Sequence, residues 1–220
     1  VLRFVRDGKG ERHTWLPLKE VPDLVKNAFI AAEDKRFYDH PGFDLGAIIR
    51  ALKDNYRSGR IVSGASTITQ QTTRLIYPRK RTYRDKFIEI LRSVRMELVL
   101  SKDEILEQYL NRVPMGNNIV GVELAARTYF GKAAARLSAA EAALLASLPK
   151  APGALNPYGE NVYRLFDRKD IVISSMRECG FISEEDALRA KKEKIVFSGE
   201  TFPNMAPHMV DLLYSSGRYK

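Results

Sequence analysis

The residues best suited to chemistry lie in Ala31-Ala32-Glu33-Asp34-Lys35-Arg36-Phe37-Tyr38-Asp39-His40-Pro41-Gly42. An acidic pair closes the apolar run Phe29-Ile30-Ala31-Ala32, and Phe37, Tyr38 and His40 follow before a Pro-Gly break. A carboxylate at the junction of an apolar helix and a polar turn is partly desolvated. Desolvation raises a Glu pKa towards neutrality, where the group can take or give a proton. Glu33 is therefore the candidate catalytic base. A solvated helix end would leave the same local pattern, so this stretch alone keeps both readings open.

A second stretch, Val62-Ser63-Gly64-Ala65-Ser66-Thr67-Ile68-Thr69-Gln70-Gln71, is small or polar at eight of ten positions. Ser66 reads as an N-cap, with Gln70 and Gln71 on the first turns of the helix it opens. Hydroxyls, amides and free helix N–H groups suit sugar hydroxyls or phosphate oxygens. An exposed polar turn is the alternative. Beyond it, Tyr77-Pro78-Arg79-Lys80-Arg81 reads as a basic loop broken by Pro78. Between Arg74 and Arg95 stand eight basic residues and two acids, Asp85 and Glu89. Such a cluster is commonly a solvated face. Beside a capped polar helix start it also suits an anion.

Glu33 and Glu89 form a pair in contrasting surroundings. Apolar neighbours push Glu33 up, and the cations near Glu89 push it down. Carboxylates with separated pKa values can divide acid and base work at a sugar centre. The basic residues would then bind a phosphorylated leaving group, which suggests glycosyl transfer from a sugar pyrophosphate rather than hydrolysis.

Other chemistries find little support. The three histidines are scattered, without metal-ligand spacing. No Gly-rich nucleotide loop occurs. Ser66, His40 and Asp34 could be assembled into a triad, yet no Gly-x-Ser-x-Gly elbow supports one. The single cysteine, Cys179, excludes an internal disulfide. No apolar run among these residues is long enough to span a membrane, and none of them reads as a signal peptide.

The elements that must position these groups are mostly helical. Pro22 opens a helix running into Glu33, with Leu24, Val25, Ala28, Phe29 and Ala32 at three- and four-residue spacing. Asp44 caps a second helix with an apolar stripe of Leu45, Ile48, Ile49, Leu52 and Tyr56, stopped by Gly59. A long helix runs from Tyr83 to about Leu100, with apolar Phe87, Ile88, Leu91, Val94 and Leu98. Ser101–Glu104 and Ser138–Glu141 are capping boxes. Residues 111–118 read as a loop, 120–129 as a helix, 139–148 as a buried Ala/Leu helix and 160–178 as an amphipathic one. Ser183 caps a last helix. Val1 to Leu16 suggest a short hairpin. The 220 residues suffice for one sizeable core, and 29% charged with 45% hydrophobic residues is ordinary for a folded domain. The net charge of +9 favours anionic partners: nucleic acid, an anionic membrane surface or a phosphorylated substrate.

Five ordered motifs carry a resemblance. Glu33-Asp34-x-x-Phe37-x-x-His40-x-Gly42 resembles the first motif of the peptidoglycan glycosyltransferases, the glycosyltransferase module of class A penicillin-binding proteins. Gly64 to Gln71 resembles the second, and Lys86-x-x-Glu89 the third. Ile105 to Asn111, with Gly116, Gly121 and Tyr129-Phe130-Gly131-Lys132, resembles the fourth. Leu137 to Ala146, with Pro149-Lys150-x-Pro152 and Asn156-Pro157, resembles the fifth. Gly64-Ala65-Ser66 is more similar to the type 1C branch than to type 1A. Asp85 stands where the third motif usually has Arg, and Arg74 where Lys is common.

The resemblance implies a mainly α, lysozyme-like domain of two lobes, with a short N-terminal β fragment, over residues 1–200. Residues 201–220 would begin a linker to a transpeptidase domain outside this chain, and an N-terminal membrane anchor is likewise expected outside it. The implied reaction polymerises lipid II into glycan strands, with inversion at the donor sugar. The implied catalytic residues are Glu33 and Glu89, with Glu33 deprotonating the acceptor 4-hydroxyl and Glu89 orienting cations or a divalent metal. Asp34, His40, Ser66, Thr67, Gln70, Gln71, Arg74, Arg81, Lys86 and Asn111 are the implied substrate-binding residues. Mg2+ or Mn2+ is the expected cofactor, with no organic one. The expected partners are lipid II, the lipid-linked glycan strand, an anionic membrane surface and cell-wall synthesis proteins, with no nucleic acid. The expected location is the periplasmic face of a bacterial cytoplasmic membrane. A lysozyme-like peptidoglycan hydrolase on the same fold is the alternative, and it would leave the Arg74–Lys86 cluster idle.

Overall fold

The computed structural model describes residues 5–6, 12–59, 66–78, 82–151, 155–159 and 161–198. The chain is mainly helical: α1 Asp23–Glu33, α2 Leu45–Ser58, α3 Ile68–Ile76, α4 Tyr83–Val99, α5 Lys102–Arg112, α6 Val122–Phe130, α7 Ala139–Ser147, α8 Val162–Glu178 and α9 Glu184–Lys192. Among the described residues, three two-residue strands accompany them: β1 Val5–Arg6, β2 Arg12–His13 and β3 Ile119–Val120. β1 and β2 pair antiparallel, as the expected hairpin requires. β3 adds to β2 in parallel, a long-range pairing that no local pattern announces.

The helices fall into two packed groups. In one, α7 is the centre, and α1, α8 and α9 pack against it. Five alanines keep α7 thin, and it is apolar nearly all round, as a helix covered on every side must be. In the other, α3 packs on α4 and α5. The α6 helix touches both α5 and α7 and so bridges the groups.

The local signals work where they use side-chain–backbone chemistry. The Asp44 carboxylate accepts from the Ala47 N–H, and Gly59 ends α2 in the left-handed region. Ser101 and Ser138 each form a complete capping box, and Ser183 accepts from the Asp186 N–H. One cap differs. Thr67, not Ser66, caps α3, because its Oγ1 accepts from the Gln70 N–H at 3.1 Å. The same hydroxyl donates to the Gly42 carbonyl at 2.7 Å. Ser66 is thereby free for another contact. The expected loop from residue 111 also starts later, because α5 continues to Arg112.

The apolar stripes of α2 and α4 correct a natural reading. Periodicity alone would turn them towards a core, yet Leu45, Ile49 and Tyr56 on α2 are exposed. So are Phe87, Leu91 and Leu98 on α4. What α4 buries instead is polar, with Glu89 and Ser93 inside. An apolar stripe left exposed on each of two helices marks a surface for another apolar phase or partner.

Gly42 fixes the turn after Glu33. Its φ is +92°, and an added Cβ would lie 2.9 Å from the Ser93 carbonyl oxygen of α4. Gly42→Ala therefore combines strain with a backbone clash. It should lower unfolding free energy by about 1–3 kcal/mol in chemical denaturation.

Candidate active site

The site is built where α1 ends and α3 begins. Asp34 follows the last residue of α1, and its Oδ2 accepts two bonds at 2.9 Å, from the Ile68 N–H and from His40 Nε2. The first bond ties the α3 N-terminus to the end of α1, where a carboxylate also meets the positive end of the helix dipole. His40 Nδ1 faces the Gly42 N–H at 3.2 Å. Both imidazole nitrogens are thus engaged, and neither is left to activate Ser66. The triad that could be drawn on paper does not form. Asp34 and His40 are buried and act as a clamp that shapes the turn.

The clamp sets two adjacent glutamines on α3 to different tasks. Gln71 Nε2 donates to Glu33 Oε2 at 2.8 Å. Gln70, one residue earlier, is buried and uses its Oε1 to accept from Lys86 Nζ at 3.2 Å. Lys86 also reaches the Ser66 hydroxyl at 3.3 Å and Glu89 Oε1 at 2.5 Å. Arg74 Nη1 lies 3.9 Å from the other Glu89 oxygen. The start of α3 therefore connects a carboxylate site at Glu33 to a cation site at Lys86 and Arg74.

The two glutamates differ as their surroundings dictate. Burial holds the Glu33 carboxyl above the usual carboxylate range. The Gln71 bond and the positive charges of Arg168, Lys150 and Arg74 pull it partly back. Glu89 is only 1% exposed and lies against Lys86, so the geometry gives it the task of holding cations rather than meeting a sugar. One Glu89 oxygen already contacts an ammonium, and the described residues hold no group of three carboxylate, His or Cys ligands. A divalent cation beside Glu89 would take its remaining ligands from substrate phosphate oxygens and water.

Glu33 opens on a cleft of about 360 Å³. Asp34, Ser66 and Thr67 line it from the expected set, and Arg36, Arg50 and Arg168 line it besides. Arg36 is neutralised by Asp44. Arg50 and Arg168 have no ion pair among the described residues, and Arg168 Nε is buried without a partner. These two arginines were missed in the sequence reading. Arg168 had a signal: it shares a helical row with buried Leu165 and Val172, so it is a charge set into the apolar face of α8.

Asn111 lies elsewhere. Its Oδ1 accepts from the Leu16 N–H at 2.6 Å, and its Nδ2 donates to the Leu16 and Glu107 carbonyls. Both amide protons are used in pinning the N-terminal segment to α5, so the side chain has none to offer a substrate. Arg81 falls outside the described residues, as do Gly64, Ala65 and the region 201–220.

Comparison with known proteins identifies the family. A family model described as Transglycosylase matches residues 2–177. Penicillin-binding protein 1A of Aquifex aeolicus is 39% identical over 220 residues, covering 96% of this chain and 30% of the relative. Penicillin-binding protein 2D of Bacillus subtilis is 38% identical over 206 residues, covering 92% of this chain and 30% of that protein. The crystal structure of penicillin-binding protein 1A from Haemophilus influenzae matches with a TM-score of 0.57 at 26% identity. It covers 95% of this chain and 22% of that one. The chain thus spans about a third or less of the relatives' length. Their 1A and 2D names lend nothing to the 1C-like reading of Gly64-Ala65-Ser66. With the family model matching residues 2–177, the chain belongs to the transglycosylase family.

Proposed function

We propose that this chain is a peptidoglycan glycosyltransferase that joins lipid II units into glycan strands by inverting transfer. The carrying observation is the split at α3, where Gln71 holds Glu33 and Gln70 holds Lys86. A base at the end of α1 and a leaving-group clamp on α4 are thereby held by one helix start.

In this reading Glu33 takes the proton of the acceptor sugar 4-hydroxyl. The freed oxygen attacks the anomeric carbon of the lipid-linked donor from the face opposite its pyrophosphate. The new glycosidic bond forms as the bond to the pyrophosphate oxygen breaks, and the lipid pyrophosphate departs with the electron pair. Lys86 and Arg74, with Arg81 as a further candidate, stabilise the charge that develops there. Ser66 and Gln70 hold the Lys86 ammonium in place. Arg50 and Arg168 line the Glu33 cleft and suit the pyrophosphate of the acceptor, which is lipid-linked as well. The exposed apolar stripes of α2 and α4 suit contact with the bilayer that carries both lipids. The exposed Arg57, Arg84, Arg92 and Arg95 on those helices suit anionic headgroups. The module then works at the periplasmic face of the cytoplasmic membrane, alongside cell-wall synthesis proteins.

Incubation with labelled lipid II should give long strands resolvable on a gel. Cleavage of preformed strands without polymer would instead support a hydrolase. Glu33→Gln should reduce polymerisation by about 10²–10⁴-fold, the usual worth of a general base. Lys86→Ala should cost about 10²–10³-fold, as loss of a charge-stabilising donor does.

The same burial has a stability consequence. The folded-state pKa of Glu33 is raised, so folding favours its protonated form. That contribution is full below the unfolded pKa and is lost as pH rises through the folded one. Glu33→Gln should therefore melt higher than the parent near neutral pH, with the gap closing towards about pH 4, where the parent is protonated as well. The acid limb of the pH–rate profile should lie above the ordinary carboxylate range.

Charge on the apolar stripes tests the membrane contact. Ile49→Glu combined with Leu91→Glu should weaken binding to anionic vesicles by tenfold or more. Each side chain removed from the bilayer is worth about 1.5–3 kcal/mol. The melting temperature should hold, because both residues are exposed in the fold.

A further inference from the structure

Two buried oxygens near the site have no protein partner: Glu33 Oε1 and the Tyr109 hydroxyl. Tyr109 lies on α5 and is fully buried. Its ring meets Phe29 edge-on, with centroids 6.3 Å apart. Phe29 and Glu33 are four residues apart on α1 and share one face of it. Tyr109 thus packs against the face of α1 that ends in Glu33, and burial, with the Glu33 charge beside it, pushes its hydroxyl pKa well above the usual value. The carboxylate oxygen and the phenol present one acceptor and one donor, each buried and unbonded. A single ordered water satisfies both, and buried polar groups are seldom left without such a partner.

The geometry points to a buried water that joins Glu33 Oε1 to the Tyr109 hydroxyl, making Tyr109 a positioning residue for the catalytic base. This rests on the reading of Glu33 as base. Gln71 fixes one carboxylate oxygen from α3. Tyr109, through the water, fixes the other from α5, so the carboxylate is oriented from two helices. The remaining charged groups that face the pair are Arg74 on α3, Lys150 after α7, Arg168 on α8 and the neighbouring Asp34. None of them bonds to Oε1.

The bridge donates towards Glu33 and favours its ionised form. Tyr109→Phe keeps the ring and deletes the donor. Removal of one hydrogen bond to a charged group should raise the Glu33 pKa by about one unit. The carboxyl resonance of Glu33, followed by ¹³C NMR through a pH titration of the full chain, reads this without any turnover. The acid limb of the polymerisation profile should move up by the same amount, a change that a purely structural role would not produce. An identical Glu33 titration in parent and Tyr109→Phe overturns the inference while leaving the base assignment intact. A shifted titration with an unmoved rate profile upholds the bridge and overturns Glu33 as base. Should Tyr109→Phe fail to fold, a crystal structure of the parent resolving ordered solvent decides. Water within hydrogen-bond reach of both oxygens supports the bridge, and its absence there overturns it.

Discussion

One carboxylate organises the site by joining two helices. Asp34 closes the end of α1 onto the start of α3 through the Ile68 N–H, and its bond to His40 sets the turn between them. Every functional contact described above depends on that joint. If α3 shifted by one residue, Gln70 and Gln71 would rotate by about 100° about the helix axis, and Glu33 and Lys86 would lose their partners together. Charge-assisted bonds of this kind are about twice as strong as neutral ones, which suits a joint that must not slip. Thr67 reinforces it by capping α3 while donating to Gly42 in the same turn.

The site separates charges rather than pooling them. Glu33 keeps a low-dielectric setting that favours a proton, whereas Glu89 is placed against Lys86 and within reach of Arg74. A base needs a raised proton affinity, and a cation holder needs a settled negative charge. The two glutamates therefore meet opposite surroundings, because one ends an apolar helix and the other lies inside a basic one. Burying Glu33 costs stability at neutral pH, the common trade where function requires an uncomfortable group.

The α4 helix shows the same economy. It turns Glu89 inward towards the cation site and Phe87, Leu91 and Leu98 outward. One helix thereby supplies both an anchor for the cation site and an exposed apolar face.

Much of this was legible in the sequence, because some signals are local. Asp44, Ser101, Ser138 and Ser183 cap their helices since a side chain a few residues away reaches a free N–H whatever the surrounding fold. Glu33 at an apolar–polar junction announced its desolvation for the same reason. Periodicity, in contrast, reports that a face is apolar and not what it meets, so the stripes of α2 and α4 were assigned without a destination. Only the tertiary structure revealed that Asn111 is spent on Leu16, that His40 is a clamp and that Arg168 and Tyr109 come to Glu33 from α8 and α5. Those contacts join residues distant along the chain. The sequence by itself determined which groups could do the chemistry, and the packing of α1 against α3, α5 and α8 decided which of them meet.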